Sequence, residues 1–260
     1  MGHVINPLYV VSGLVVGLLV GLTGVGGGSL MTPLLVLVFG IHPSTAVGTD
    51  LLYAAATKSV GTAVHNSRRT IDWRIVGRLA LGSVPATALT LFILSRLHAH
   101  LDARHGLIST TLGVALILTA IAIVFRRFIL ERFARVSSRW SARTIAVSTV
   151  VLGAVLGVLV SISSVGAGAI GMTVLLVLYP ALPVSKLVGS DIAHAVPLTL
   201  IAGLGHWAMG SVNLGMLGSL LAGSIPGIIV GSLLASRAPD NVLRPILAST
   251  LAIVGGRLIF

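Results

Sequence analysis

The chain alternates between long apolar runs and short stretches of charged or turn-forming residues. A helix needs about 20 residues to cross the roughly 30 Å of hydrocarbon in a bilayer. We therefore predict an all-α integral membrane protein built from about ten hydrophobic segments. These segments cover residues 8–22, 29–40, 44–64, 75–95, 105–125, 143–162, 168–180, 185–205, 215–235 and 243–260.

Two of these segments, 29–40 and 168–180, are too short to span a membrane alone. Each begins at a Gly-rich stretch, and glycine lets the backbone leave helical geometry. We predict short broken or re-entrant helices there. The sequence does not separate a crossing from a re-entry.

Composition strengthens the membrane assignment. Only 9% of the 260 residues are charged and 55% are hydrophobic, whereas a soluble domain has about 25% charged residues. The net charge of +11 would suggest nucleic acid in a soluble protein, but here the basic residues lie between apolar runs, so we predict a bilayer as partner and no nucleic acid. The absence of cysteine excludes a disulfide scaffold and a Cys-ligated metal. No cofactor or metal is predicted.

The positions of Arg and Lys predict the orientation. Twelve of the 17 basic residues fall in the stretches 65–74, 126–143 and 236–244 or at Lys186. Because cytoplasmic loops are enriched in Lys and Arg, these stretches are placed in the cytoplasm. We expect a multi-pass protein of the cell membrane with both termini extracytoplasmic.

The two halves of the chain repeat each other. Gly17 to Gly28 aligns with Gly157 to Gly168, 140 positions later, and from Val47 onward the offset is 141. Matches at rare Pro, Asp and His positions in one register argue against chance. The matched pairs include Pro43 with Pro183, Asp50 with Asp191, His65 with His206 and Pro85 with Pro226.

The charge distribution predicts that the repeats are inverted. Loop 65–74 is rich in Arg, while the corresponding stretch 206–215 has none. We therefore expect a first repeat at 1–125, a basic cytoplasmic linker at 126–143 and a second repeat at 144–260. Inverted repeats with interrupted helices are typical of secondary transporters, whose substrate lies near the midplane between the repeats.

The Gly-rich breaks are candidate anion sites. A helix that starts after such a break points unpaired N–H groups and a positive dipole end at whatever precedes it. Close helix packing by small residues is the alternative explanation. The candidate substrate-binding residues are Gly24, Gly26, Gly27, Gly28, Ser29, Thr49, Ser164, Gly166, Gly168 and Ser190.

Two carboxylates lie inside predicted spans, Asp50 and Asp191. A charged side chain in hydrocarbon is costly and marks a functional site by default. His194 shares a helix face with Asp191, and Lys58 lies about two turns beyond Asp50. A role as helix caps is the alternative for the two aspartates. We assign Asp50, Asp191, His194, Lys58, His65 and His206 to proton coupling or gating, although an interfacial position also explains the last two.

These motifs together resemble the TauE/SafE sulfite-exporter family. The resemblance is carried by Gly24-x-Gly-Gly-Gly, by His42-Pro43 with Gly48-Thr49, by Ile71-Asp72-Trp73-Arg74, and by the second-half stretches from Gly189 to His206 and from Gly223 to Gly227. It implies a permease of two homologous halves that exports small sulfur-containing anions such as sulfite, sulfoacetate or thiosulfate. Asp50 departs from the family pattern, in which Ser often follows Gly-Thr, and this adds a titratable group to the path.

Three functions compete at this stage. The first is a proton-coupled exporter of sulfur oxyanions or sulfonates. The second is a cation or metal transporter that uses Asp50, Asp191 and His194 as ligands. The third is an intramembrane hydrolase with Ser29 or Ser164 as nucleophile and His194 as base, which the duplication disfavours. We predict a transporter and no enzyme. The sequence leaves a homodimer open.

Overall fold

The computed structural model describes residues 5–23, 28–98 and 140–234, together with 113, 114, 116–121, 124, 125, 128 and 253. The predicted segments 105–125 and 243–260 and most of the basic linker lie outside the described residues. The helices are α1 (Pro7–Thr23), α2 (Gly28–Leu37), α3 (Pro43–Ser67), α4 (Trp73–His98), α5 (Ala142–Ser163), a π-helical turn (Ala167–Gly171), α6 (Met172–Leu178), α7 (Val184–Ala208) and α8 (Leu214–Leu234).

The regular elements of the described part of the chain are all helices, which confirms the predicted all-α class. Within it, α5, α7, α8 and the stretch Trp73–Arg96 of α4 are long and apolar enough to cross a membrane. α3 is also 25 residues long, but its sequence is more polar because it carries Asp50, Lys58 and His65.

The short helices occur where the sequence predicts them. α2 has 10 residues, and α6 has 7 residues after the five of the π-helical turn. At about 1.5 Å per residue, neither reaches the roughly 30 Å of a hydrocarbon core. α3 starts at Pro43, which suits the first turn of a helix because its missing N–H has no partner to lose there.

α3 and α7 form the centre of the bundle. They pack against each other, α4 packs on α7, and α8 packs on α3. At the flanks α1 pairs with α8 and α4 pairs with α5. Under the sequence offsets α1, α3 and α4 correspond to α5, α7 and α8. The α1–α8 pair therefore corresponds to the α5–α4 pair, and the α4–α7 pair to the α8–α3 pair. The α3–α7 pair corresponds to itself.

The flanking pairs approach closely through glycine. A Cβ placed on Gly17 of α1 would lie 2.5 Å from the Ser224 carbonyl oxygen of α8. A Cβ on Gly157 of α5 would lie 2.6 Å from the Ser83 carbonyl oxygen of α4. Both distances are too short for a real Cβ, so these two positions require glycine. Small residues allow such close packing of helix backbones in membranes.

The outer faces of the helices are apolar. Leu81 and Leu89 of α4 and Val147 and Val151 of α5 are exposed. The polar side chains Thr49, Asp50, Ser190, Asp191 and His194 are instead fully or almost fully buried between the helices. A surface of this kind faces lipid, because a water-facing surface would carry charged residues.

Candidate functional site

The central helices bury the two carboxyl groups that the sequence singles out. Asp50 lies on α3 and Asp191 on α7, and they are 0% and 1% exposed. Among the described residues they are the buried acidic side chains. Both are well inside their helices, so they do not act as N-terminal caps. A buried carboxylate needs hydrogen-bond donors, a cation or a proton.

Asp50 accepts a hydrogen bond from one other segment and lies beside a residue of a second. The Thr32 hydroxyl of α2 donates to Asp50 Oδ2 over 2.5 Å. Ser164, the residue that ends α5, lies beside the same carboxyl group. The other carboxylate oxygen, Oδ1, has no hydrogen-bond partner in the described part of the chain, and the same holds for Ser164 Oγ. Asp50 is therefore partly satisfied and faces an unpartnered hydroxyl.

Asp191 has fewer hydrogen bonds than Asp50 in the described part of the chain. Its Oδ1 has no hydrogen-bond partner among the described residues. It lies against the π-helical turn, where a Cβ placed on Gly171 would be only 2.9 Å from Oδ1. At the sequence offset of 140, the position of Thr32 corresponds to Met172, whose side chain cannot donate a hydrogen bond. The second carboxyl group thus lacks the donor that the first one has.

Lys58 supplies the positive charge. It is 3% exposed and is the one buried Lys or Arg side chain within the described residues. It interacts electrostatically with Asp191 and with Asp50, the Asp191 interaction being the larger. The matched position in the second half is Thr199. One cation therefore serves two carboxyl groups, and only the first half provides it.

His194 pairs with α4. Its Nε2 lies 2.9 Å from Ser83 Oγ, and its Nδ1 has no partner in the described part of the chain. The position matched to His194 is Tyr53, and near it Thr57 Oγ1 lies 3.0 Å from Ser224 Oγ. Ser83 and Ser224 are themselves matched. The two halves thus place different polar side chains against equivalent serines.

Thr49 and Ser190 contact turns of the opposite half. Thr49 Oγ1 accepts a hydrogen bond from the Asn213 backbone N–H over 3.0 Å, and Ser190 Oγ accepts one from the Asp72 backbone N–H over 2.8 Å. Both hydroxyls are fully buried. Each lies one residue before a buried carboxyl group.

His65 and His206 lie in the last turns of α3 and α7. His65 Nδ1 is 2.9 Å from Thr70 Oγ1. His206 Nε2 is 2.8 Å from the Ser161 carbonyl oxygen, to which it must donate. Both side chains are buried within the protein, at 8% and 7% exposure.

The Gly-rich break of the second half is a sharp change of backbone direction. Ser164 has φ 58° and Gly166 has φ 113°, both in the left-handed region. The Gly166 carbonyl accepts hydrogen bonds from the N–H groups of Ile170 and Gly171, which makes the following turn π-helical. Gly168 lies within this turn. π-Helical turns often occur at functional sites.

In the first half, Gly28 begins α2. The predicted site residues Gly24, Gly26 and Gly27 and the side chain of Ser29 lie outside the described residues.

Several site residues were missed by sequence reasoning. Thr32, Ser83 and Gly171 contact Asp50, His194 and Asp191 respectively. Ser83 does lie in the repeated Gly-Ser-x-Pro motif, and that repetition was a usable signal. Thr32 and Gly171 carry no such signal, because hydroxyl and small residues are common in membrane helices.

The arrangement defines a class of protein. A lipid-facing helical bundle that encloses one ammonium group, two carboxyl groups and unpartnered polar atoms has the features of a membrane transporter. The family profile described as "Sulfite exporter TauE/SafE" matches residues 9–258. The chain therefore belongs to the TauE/SafE family, whose members are membrane transporters and not enzymes.

Curated relatives agree with this assignment. The chain is 41% identical over 215 residues to "Probable membrane transporter protein YjnA" of Bacillus subtilis (strain 168), covering 82% of this chain and 83% of the relative. It is 31% identical over 212 residues to "Probable membrane transporter protein YdhB" of the same organism, covering 79% and 80%. No solved structure matches the chain significantly.

Proposed function

We propose that this permease exports small sulfur-containing anions, such as sulfite, thiosulfate, sulfoacetate or a related sulfonate, in a proton-coupled manner. The observation that carries the proposal is Lys58, a buried cation that interacts electrostatically with two buried carboxyl groups. A buried cation attracts an anion out of water, and the family name supplies the chemical class of that anion.

The anion would bind between Lys58 and the Gly-rich breaks. The break at 164–168 precedes a helix start, which offers unpaired N–H groups. Ser164 Oγ is buried and without a partner among the described residues, so it is available to donate. The matched break at 24–28 would supply the second set of N–H groups. The candidate glycines and Thr49 and Ser190 line or support this site in the proposal.

Charge counting leads to proton coupling. With both carboxylates ionised and Lys58 protonated, this cluster carries a net charge of −1, which repels an incoming anion. One added proton makes the cluster neutral. It also removes part of the electrostatic interaction between Lys58 and the carboxylates. Anion binding and proton binding therefore favour each other, and this linkage is reciprocal. Asp191 is the better proton acceptor of the two in this proposal, because it lacks the hydroxyl donor that Asp50 has.

The paired contacts support two inverted repeats around this site. The α1–α8 and α4–α5 pairs correspond under the sequence offsets, as do the close approaches at Gly17 and Gly157. In this proposal the first repeat is 1–125, the second is 144–260 and the basic linker is cytoplasmic. Both termini are extracytoplasmic in this proposal.

Flux measurements in proteoliposomes test the function. Labelled sulfite, thiosulfate and sulfoacetate would be offered with and without a pH gradient to the wild type and to Lys58→Gln, Asp50→Asn and Asp191→Asn. Because anion and proton bind together, we expect transport of at least one anion to be accelerated by a pH gradient that is acidic on the anion side. We expect severe loss of transport in Lys58→Gln and loss of the pH-gradient response in Asp191→Asn. Lys186→Gln and Asp240→Asn are the matched controls.

Two outcomes would refute separate parts of the proposal. Transport of none of these anions by a folded wild type would refute the substrate class. Transport by both Asn variants with an unchanged response to the gradient would refute the coupling role while leaving the substrate intact.

A cation or metal transporter is the second candidate. It is favoured by the unpartnered Asp50 Oδ1, Asp191 Oδ1 and His194 Nδ1. It is disfavoured because no three His, Asp or Glu side chains of the described residues are grouped closely enough to hold a metal ion. Thermal stabilisation of the purified protein by a divalent metal, with no response to sulfite, would support this alternative.

A further inference from the structure

Two turns contact the central helices in the same way. In the first contact, the Asn213 N–H binds Thr49 Oγ1 over 3.0 Å, and the Ser211 carbonyl lies directly over Gly48. In the second, the Asp72 N–H binds Ser190 Oγ over 2.8 Å, and the Thr70 carbonyl lies directly over Gly189. These are called here the Thr49 contact and the Ser190 contact.

The two turns have the same construction. The Thr70 N–H donates to the His65 carbonyl over 3.0 Å, and the Ser211 N–H donates to the His206 carbonyl over 2.9 Å. Arg69 and Gly210 precede them with φ 54° and 75°. Arg69 occupies this left-handed conformation without the freedom of glycine, so the turn is held by its surroundings.

The contacts lie at opposite ends of the central helix pair. Thr49 is in the first two turns of α3 and binds a turn after the C-terminus of α7. Ser190 is in the first two turns of α7 and binds a turn after the C-terminus of α3. Each contact lies immediately beside a buried carboxyl group, at Asp50 or at Asp191.

We propose that Thr49 and Ser190 are positioning residues that hold the two gates of the transport path closed, one gate at each membrane face. The inference rests on the proposed function in that the path leads to the central carboxyl cluster. Both gates are closed in this structure, so it represents an occluded state. Transport requires one contact to break while the other holds. A single backbone-to-hydroxyl hydrogen bond and one close approach at each gate are weak enough to open reversibly.

This assignment changes the role of the two hydroxyls. In the sequence analysis Thr49 and Ser190 are substrate ligands. Here each hydroxyl oxygen is occupied by a backbone N–H from the opposite half. Their substitution therefore affects access to the site on one side before it affects affinity for the substrate.

Cysteine accessibility tests the gates without depending on the substrate. The chain has no cysteine, so Ser164→Cys provides a unique reporter beside Asp50. It would be combined with Thr49→Val, which removes the acceptor while keeping the shape, or with Ser190→Ala. Labelling by a membrane-impermeant thiol reagent would be measured from each face, in intact cells and in inverted vesicles.

We expect Thr49→Val and Ser190→Ala to raise the reporter's labelling rate from opposite faces, by about three- to tenfold, the factor by which loss of one hydrogen bond shifts an equilibrium. Thr49→Ser keeps the acceptor and should restore the wild-type rate. Ser59→Ala is the matched control, because among the described residues the Ser59 hydroxyl bonds within its own helix, to the Ala55 carbonyl.

The outcomes separate this inference from the proposed function. If the labelling rate rises from the same face in both variants, or in neither variant, the gating role is refuted even if sulfite is transported. If the labelling rate rises from opposite faces in the two variants, the gating role is supported even if no sulfur anion is transported. If a hydroxyl variant does not fold, Gly48→Ala and Gly189→Ala disrupt the same contacts, with Gly77→Ala and Gly218→Ala as controls because a Cβ at those sites meets nothing within 4 Å.

Discussion

Thr32 and Asp50 form the shortest polar contact of the buried cluster, with the Thr32 hydroxyl donating to Asp50 Oδ2 over 2.5 Å. The second half has Met172 at the matched position, and Asp191 Oδ1 has no hydrogen-bond partner among the described residues. Asp50 and Asp191 are matched in the sequence, yet their carboxyl groups lie in unequal environments. An unequal pair can divide its roles, with one group holding structure and the other exchanging a proton.

Thr32→Val should destabilise the ionised Asp50. Removing the donor leaves a buried carboxylate oxygen unpaired and is expected to lower stability by about 1 kcal/mol. Thermal unfolding in detergent measures the effect. Thr62→Val is the control, because within the described part of the chain the Thr62 hydroxyl bonds to the Lys58 carbonyl of its own helix. An equal loss in both variants would contradict a specific role for the Thr32 contact.

Gly171→Ala should impair transport through Asp191. A Cβ at this position would lie 2.9 Å from Asp191 Oδ1, so either the carboxyl group or the π-helical turn must move. We expect at least a tenfold loss of flux, because transport sites tolerate displacements of about 1 Å poorly. Gly218→Ala, which has open space around it, should retain normal flux. Normal flux in both variants would show that this close approach has no functional importance.

His194 and Ser83 should behave as a coupled pair. A double-mutant cycle with His194→Gln and Ser83→Ala is expected to give an interaction energy of about 0.5 to 2 kcal/mol in thermal or chemical unfolding. The reason is their hydrogen bond of 2.9 Å between α7 and α4. Additive effects would mean that the two side chains do not interact in the membrane-embedded protein.

Gly157→Ala should separate α5 from α4. The added methyl group would lie 2.6 Å from the Ser83 carbonyl oxygen, which is backbone and cannot turn away. We expect a loss of about 1 to 3 kcal/mol of stability, the usual result of overpacking. Gly77→Ala provides the comparison within α4 itself. The expression level and melting temperature of the two variants measure the difference, and equal values would contradict the close approach.

Ser67→Cys and Ala208→Cys should label from opposite sides of the membrane. These matched residues end α3 and α7 and are exposed. Because the stretch after Ser67 is rich in Arg, we expect Ser67→Cys to be shielded from an impermeant reagent in intact cells and Ala208→Cys to react. Labelling of both from one side would exclude inverted repeats.

The sequence alone predicts much of the fold. Eight of its apolar segments coincide within a few residues with described helices, because apolar runs, prolines and glycines act locally on the chain. The short second and seventh segments are recognisable for the same reason. Asp50, Lys58, Asp191 and His194 stand out as candidates because a polar group in an apolar run is costly wherever the helices pack.

The tertiary structure decided which atoms meet. Thr32 lies 18 residues before Asp50, and Ser83 lies 111 residues before His194, so no local pattern links them. Thr49 and Ser190 accept hydrogen bonds from backbone N–H groups of distant turns. These bonds depend on the packing of α3 against α7. Hydrophobic runs and their interruptions are properties of neighbouring residues, whereas hydrogen-bond partners and close approaches are determined only when separate helices pack together.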